Sequence, residues 1–373
     1  MKIVVDENMP HACELFAEFG EVIPLPGRQI GAADLQDADV LLVRSVTRVD
    51  AGLLADCPRL GFVGTATIGT DHIDTALLAE RGIPFFSSPG CNKYSVGDYV
   101  LSALLVLAER HELSLDQMSL AVIGAGNTGE CVAGKAEALG MRVLRCDPPR
   151  ARLEGAAGFV DYPTALSADI VSFHVPLTRE GQDATFHLLG EREIAALPKG
   201  QFLINASRGE VWDNQALLAR QQSDQPLRLV MDVWEGEPEP LKALVPHTEL
   251  ATPHIAGYSL EGKARGTWML YQALCQQLGR MPRQDLQSLL PAPEVRELTP
   301  GQPADQRLIK QLVHLIYDVR RDDARFRNRI GVPGSFDGQR KDYPERRELS
   351  SLQVSGPFAC DRLARLGFAI SQK

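Results

Sequence analysis

Residues 118–129 read Met-Ser-Leu-Ala-Val-Ile-Gly-Ala-Gly-Asn-Thr-Gly, an apolar run with strand character that breaks into three glycines at G-x-G-x-x-G spacing. In this pattern Gly124 permits the tight turn out of the strand. Gly126 lets a pyrophosphate approach the backbone, and Gly129 lets the next helix pack closely on its strand. The phosphates then sit at a helix N-terminus opened by Asn127 and Thr128. Glycine-rich turns also occur where nothing binds, so the spacing alone does not decide.

Two neighbouring features weigh toward a dinucleotide. A helical pattern over 127–139 ends at Gly140, and a second strand over 141–146 runs into Asp147, eighteen positions beyond Gly129. A carboxylate there accepts both ribose hydroxyls of NAD and repels the 2′-phosphate of NADP, although Arg150 and Arg152 blur that preference. The competing reading has Asp147 capping the turn before Pro148.

Working outward, apolar or β-branched runs at 2–5, 39–43, 60–64 and 83–86 alternate with helical patterns at 10–19 and 71–81, as in βαβ units with a parallel sheet. A long helical pattern over 94–111 leads to the fingerprint strand. Strands at 169–174, 201–205, 227–231 and 248–251 then complete a six-strand doubly wound set. A helix over 257–278 is long enough to return to the first layer, so the first domain is expected to be discontinuous. Prolines at 282, 291, 293, 300 and 303 mark a linker. The expected division is 1–93 with 257–286, then 94–256, then a small α+β tail over 287–373 with one clear amphipathic helix at 305–319.

Composition narrows the function classes. A net charge of −9 argues against a general nucleic-acid binder, whose affinity depends on basic surface. Seven scattered cysteines without a C-x-x-C pair read as reduced thiols, and no zinc-like histidine spacing accompanies them, so no metal is expected. The N-terminus starts a strand at once and the longest apolar run, 99–108, is too short to cross a bilayer. A cytoplasmic enzyme without membrane contact is the expectation.

In open α/β sheets ligands sit outside the carboxyl ends of the strands. Arg208 follows the strand at 201–205, Glu237 the one at 227–231, and His254 the one at 248–251. Such a trio suits hydride transfer from an alcohol. Arginine holds a carboxylate bidentately, and histidine takes the hydroxyl proton with a carboxylate orienting its ring. Each residue alone has a plainer reading as a solvated loop charge. Arg44 and Ser45, just past the strand at 39–43, suit an anionic substrate. Nine basic against five acidic residues over 320–347 form a second basic region, where Arg346 or Arg347 is a candidate for a phosphate and a solvated or interface face is the alternative.

The segments Gly-Ala-Gly-Asn-Thr-Gly, Asn-Ala-Ser-Arg-Gly, Asp-Val-Trp-Glu-Gly-Glu-Pro and Pro-His-Ile-Ala-Gly, in this order, resemble the D-2-hydroxyacid dehydrogenase family over about residues 1–280. The resemblance implies a Rossmann-type NAD-binding domain, a flavodoxin-like substrate domain, and Arg208, Glu237 and His254 as the catalytic set. It also implies Asp232 on the nicotinamide carboxamide and two domains closing over a cleft. Val43-Arg-Ser-Val-Thr47, Gly64-Thr-Ala-Thr-Ile-Gly-Thr-Asp-His-Ile-Asp74, Tyr317-Asp-Val-Arg-Arg-Asp-Asp323 and Tyr343-Pro-Glu-Arg-Arg-Glu348 are similar to a branch of that family acting on a phosphorylated hydroxy acid. That branch implies Ser45, Thr67 and Tyr258 on the substrate, Ala206, Ser207 and Gly257 along the cofactor, and a homodimer joined partly by the tail. The alternatives are a phosphoglycerate-type enzyme with a regulatory tail and a non-catalytic NAD-sensing corepressor.

Overall fold

The computed structural model describes residues 1–371, which form two compact units: Met1–Asn92 with Ser259–Ala292, and Lys93–Tyr258 with Pro293–Lys373, the last two residues lying outside the description. The first unit holds a five-stranded sheet of β1 (Lys2–Asp6), β2 (Glu21–Leu25), β3 (Val40–Val43), β4 (Phe62–Thr65) and β5 (Phe85–Ser87), in the order β2-β1-β3-β4-β5. Every pairing is parallel. The sequence pattern does not reveal β2, because it is half-exposed and contains Pro24. An edge strand tolerates a proline that a central strand would reject.

The helix Leu260–Gln277 packs on this sheet through Leu270, Tyr271, Leu274 and Cys275, which share a core with Ile3, Val5 and Phe62. Two glycines allow the close approach. A Cβ on Gly266 would lie 2.9 Å from the Ala66 carbonyl oxygen, and one on Gly64 would lie 3.0 Å from Leu270.

The second unit holds β6 (Ser119–Ile123), β7 (Arg142–Cys146), β8 (Ile170–Phe173), β9 (Phe202–Asn205), β10 (Arg228–Met231) and β11 (Leu250–Ala251), all parallel in the order β11-β10-β9-β8-β6-β7. β6, β8 and β9 are buried along their whole length, as expected of strands covered on both faces. The strand order reverses at β6, where the glycine turn emerges, so the fingerprint lies at the topological switch point.

The tail folds into more than one helix and mixed segments. Helices Gln306–Ile316, Val319–Arg329, Ser335–Lys341 and Asp361–Leu366 accompany a parallel sheet of β12 (Glu297–Leu298), β13 (Gln353–Ser355) and β14 (Ala369–Ser371). It shares one hydrophobic core with the long helix Lys93–Arg110. Polar bonds fix it there. Asp323 Oδ1 accepts the Ala251 N–H at 2.7 Å, and Arg327 donates to the Val245 and Thr248 carbonyls. No helix of the described residues is long and apolar enough to cross a membrane.

Candidate active site

The glycine turn has the geometry its spacing requires. Gly124 adopts φ +86°, and a Cβ there would sit 2.8 Å from the His174 carbonyl. A Cβ on Gly129 would fall 2.0 Å from the Gly124 oxygen, so the helix Asn127–Ala138 reaches its strand only with glycine at that position. Gly126 is exposed with nothing within 4 Å of a built Cβ, which leaves its backbone open to a phosphate.

Asp147 joins the two readings offered for it. Oδ1 accepts the Arg150 N–H and caps the helix Pro148–Glu154, while Oδ2 accepts the Ala125 N–H at 2.9 Å. The carboxylate therefore stands beside the glycine turn. Arg150 is tied to Glu130, Glu154 and the Ala125 carbonyl.

Beyond β9 the Asn205 side chain builds the next loop. Its Oδ1 accepts both the Ser207 N–H and hydroxyl, and its amide donates to the Arg208 carbonyl. Ala206, Ser207 and Arg208 are thus held in one tight turn, with Arg208 half-buried and one of its Nη1 hydrogens on the Ser207 carbonyl. Gly209 presses against the loop after β10, since a Cβ there would lie 2.0 Å from the Trp234 carbonyl carbon.

Asp232, fully buried, organises the loop after β11. Oδ1 accepts the Thr252 hydroxyl and the Ile255 N–H, and Oδ2 accepts the Ala256 N–H. These three bonds set His254 at φ +58°, a left-handed backbone that non-glycine residues seldom adopt. His254 Nδ1 meets Glu237 Oε2 at 2.7 Å, and Glu237 Oε1 accepts the Trp234 N–H at 2.8 Å. Burial opposes the charge on Glu237, but the His254 ring, its hydrogen bond, the Trp234 N–H and Arg340 outweigh it and hold the carboxyl below its ordinary value. With Nδ1 engaged by a carboxylate, Nε2 is the nitrogen left to exchange a proton.

Three features escape the sequence pattern. His174, at the end of β8, bonds the Ser172 hydroxyl through Nε2 at 2.8 Å, and burial pulls it down to about 3, so the ring beside the glycine turn stays neutral. Folding also gathers His187, Asp213 and Glu235, residues with no metal-like spacing. His187 Nε2 meets Glu235 Oε1 at 2.8 Å and Glu235 exchanges bonds with Asn214, so the trio latches the loop that carries Glu237. The third is Arg340 of the tail. Its guanidinium lies 5.7 Å from the Tyr258 ring centroid, and it contributes to the ionisation of Glu237.

Of the two tail arginines singled out by charge, Arg346 departs from the expectation. Arg346 is buried, stacks 3.5 Å from the Tyr317 ring, and donates to the Ser95 and Ala256 carbonyls. These contacts tie the tail to the helix Lys93–Arg110 and the loop after β11, where a packing role accounts for the buried guanidinium. Tyr317 and Tyr343 both donate to Asp322, so the two distinctive tail segments meet in this packing. In the first unit, Arg44 Nη1 reaches the Asn8 carbonyl at 3.4 Å, Ser45 is exposed, and the Thr67 hydroxyl meets Thr65 at 2.7 Å and donates to Gly69.

A doubly wound sheet with a dinucleotide turn at its switch point and an arginine, a carboxylate and a histidine on successive strand-end loops defines a nicotinamide-linked 2-hydroxyacid dehydrogenase. Comparison with known proteins agrees. Residues 106–256 match the NAD-binding domain of D-isomer specific 2-hydroxyacid dehydrogenases, and residues 289–367 match a domain of unknown function. The chain is 85% identical to erythronate-4-phosphate dehydrogenase of Aeromonas salmonicida over 99% of both chains, and 61% identical to that of Tolumonas auensis over the whole of both. A crystal structure of Aquifex aeolicus D-lactate dehydrogenase with NAD and lactic acid shares the fold, with a TM-score of 0.58 and 23% identity over 75% of this chain and 96% of that one. The chain belongs to the erythronate-4-phosphate dehydrogenases of the D-isomer specific 2-hydroxyacid dehydrogenase family.

Proposed function

We propose that this protein oxidises 4-phospho-D-erythronate at C2 to 3-hydroxy-2-oxo-4-phosphobutanoate with NAD as acceptor, a step toward pyridoxal 5′-phosphate. The observation that carries the reading is the 2.7 Å contact of His254 Nδ1 with Glu237 on loops adjoining the Arg208 turn. Full-length similarity to proteins named for that substrate supports the choice of acid.

In this reading Arg208 grips the C1 carboxylate with paired N–H donors and fixes the orientation of C2. His254 Nε2 takes the C2 hydroxyl proton, and Glu237 steadies the imidazolium that results. Bound NAD would supply the hydride acceptor for C2, so the alcohol would yield the 2-oxo acid, reduced cofactor and one proton, which His254 would pass to solvent. Gly124, Gly126, Asn127, Thr128 and Gly129 would cradle the pyrophosphate and Asp147 the ribose, with Ala206, Ser207 and Gly257 along the cofactor. Asp232 has one acceptor position of Oδ2 remaining after its three loop bonds, which suits a carboxamide N–H. The resemblance gives Ser45, Thr67 and Tyr258 as substrate contacts, with Arg44 as a further candidate for an anionic substrate.

The test is a panel of 2-hydroxy acids with and without a terminal phosphate, read by reduced-nicotinamide absorbance. The reading expects 4-phospho-D-erythronate to give the highest kcat/KM. Preference for 3-phosphoglycerate would replace it with a phosphoglycerate-type enzyme, and no turnover on any acid would replace it with a corepressor.

The same resemblance implies a homodimer joined partly through the tail. Light scattering of the full chain tests this. Seven free thiols suit a reducing cytoplasm.

A further inference from the structure

We propose that Thr67 reads the C3 hydroxyl of the substrate as a hydrogen-bond acceptor, and that Thr65 and His72 are positioning residues that fix it in that role. This deepens the proposed function and rests on it.

The three side chains belong to the first unit. Thr65 ends β4, fully buried, and Thr67 is half-buried on the loop outside that strand's carboxyl end, where ligands of open parallel sheets sit. Ser88 pins the loop, its N–H donating to the Thr67 carbonyl at 3.0 Å and its hydroxyl to the Gly266 carbonyl at 2.9 Å. His72 is held by its backbone, since the Val49 N–H donates to its carbonyl at 2.8 Å and Val49 bridges Ile73.

The bonds among these side chains allow one direction only. The Thr67 hydroxyl lies 2.9 Å from the Gly69 carbonyl, which only accepts, so the Thr67 hydrogen is used there. In the 2.7 Å contact between the Thr65 and Thr67 hydroxyls, Thr65 is then the donor. With its own hydrogen used, Thr65 meets His72 Nε2 at 3.0 Å as acceptor, so Nε2 carries the hydrogen. The chain runs from His72 through Thr65 and Thr67 to the Gly69 carbonyl, each bond polarising the next. A hydroxyl has one hydrogen and two lone pairs, so one lone pair of Thr67 is unfilled among the described residues.

That lone pair selects what can approach. A carboxylate or a phosphate dianion offers acceptors alone and meets it with repulsion. A substrate hydroxyl donates to it. In the proposed mechanism His254 takes the C2 hydroxyl proton and the C4 oxygen carries the phosphate, so the C3 hydroxyl is the donor that remains.

The experiment compares the wild type, Thr67→Val and Thr67→Ser on 4-phospho-D-erythronate, its 3-deoxy analogue and D-erythronate, read as kcat/KM, or as the inhibition constant of an acid that does not turn over. Thr67→Val is expected to lose about threefold to tenfold more on the two acids that carry a C3 hydroxyl than on the 3-deoxy acid, mostly through KM, with Thr67→Ser recovering most of it. A larger loss on the two phosphorylated acids than on D-erythronate would mark a phosphate contact, and equal losses on all three a structural role; either overturns the proposal. Thr65→Val, in which the Thr67 hydroxyl has no donor to orient it, is expected to lose part of the same selectivity while Thr65→Ser keeps it, and an unaltered selectivity in Thr65→Val overturns the relay. If Thr67→Val fails to fold, the wild type on the 3-deoxy-3-fluoro acid decides. Fluorine cannot donate, so a KM as high as that of the 3-deoxy acid supports the proposal, and a KM as low as that of the hydroxy acid overturns it. A wild type that does not turn over 4-phospho-D-erythronate removes the proposed substrate itself. A wild type that does, but with equal kcat/KM on the 3-deoxy acid, removes only this contact.

Discussion

His254 and Glu237 are opposite in charge and joined at 2.7 Å, whereas Arg346 of the tail stacks on the Tyr317 ring and donates to backbone carbonyls. The first arrangement is complete without a ligand: each bond around Asp232, Trp234 and Glu237 already holds in the protein alone. The second ties the tail to the helix Lys93–Arg110 and to the loop after β11. The difference teaches that charged side chains serve chemistry or packing according to their partners and not their place in the sequence. The histidine and its carboxylate are preorganised by internal hydrogen bonds, while a buried arginine against an aromatic ring and backbone carbonyls holds the fold.

The comparison breaks first at His254. His254→Ala is expected to lower kcat by about a thousandfold with NAD affinity retained, because proton transfer alone contributes on that order. Steady-state kinetics and NAD titration check it, and near-normal turnover would remove the preorganised pair from the mechanism.

A large effect of another kind is expected at Arg346, which packs against Tyr317 and the Ser95 carbonyl. Arg346→Ala should destabilise the fold by about 3 kcal/mol, since removing one partner strands buried acceptors. Denaturant unfolding measures this. A change confined to KM for the phosphorylated acid would instead return Arg346 to the substrate site.

Gly209→Ala sharpens the account of preorganisation. The added methyl would collide with the Trp234 carbonyl carbon at 2.0 Å, so the Arg208 turn and the Glu237 loop must separate. Overpacking of this kind costs about 1–3 kcal/mol, and kcat is expected to fall together with Tm.

The smallest effect concerns the charge on Glu237. Its carboxyl is depressed in the folded state, so its stabilising contribution is present at neutral pH and is lost as pH falls through the folded value. The Tm difference between wild type and Glu237→Gln should therefore be constant at neutral pH and shrink on the acid side. Arg340→Gln removes one of the groups that lower Glu237, so the contribution should be smaller and its loss complete at higher pH. A Tm series against pH, run with and without Arg340, checks the direction.

Much of this was legible in the chain itself because the relevant signals are local. The glycine spacing, the apolar runs of the second sheet and polar residues just past each strand specify where a nucleotide and its reacting partner belong. β2 was not legible, since an edge strand with Pro24 lacks the continuous apolar pattern of its neighbours. The role of Arg346 was also hidden, because a charge cluster in sequence does not reveal which member is buried against an aromatic ring. Arg340 escaped for a related reason. It sits on a helix far along the chain from Glu237, and only packing beside Tyr258 brings it there.

The most direct test of the central claim follows the hydrogen that leaves C2. The protein with NAD is mixed with 4-phospho-D-erythronate carrying deuterium at C2, and the reduced cofactor is analysed by mass after a single turnover. The account predicts one deuterium on the reduced nicotinamide. Deuterium released to solvent, or no reduced cofactor at all, would contradict it.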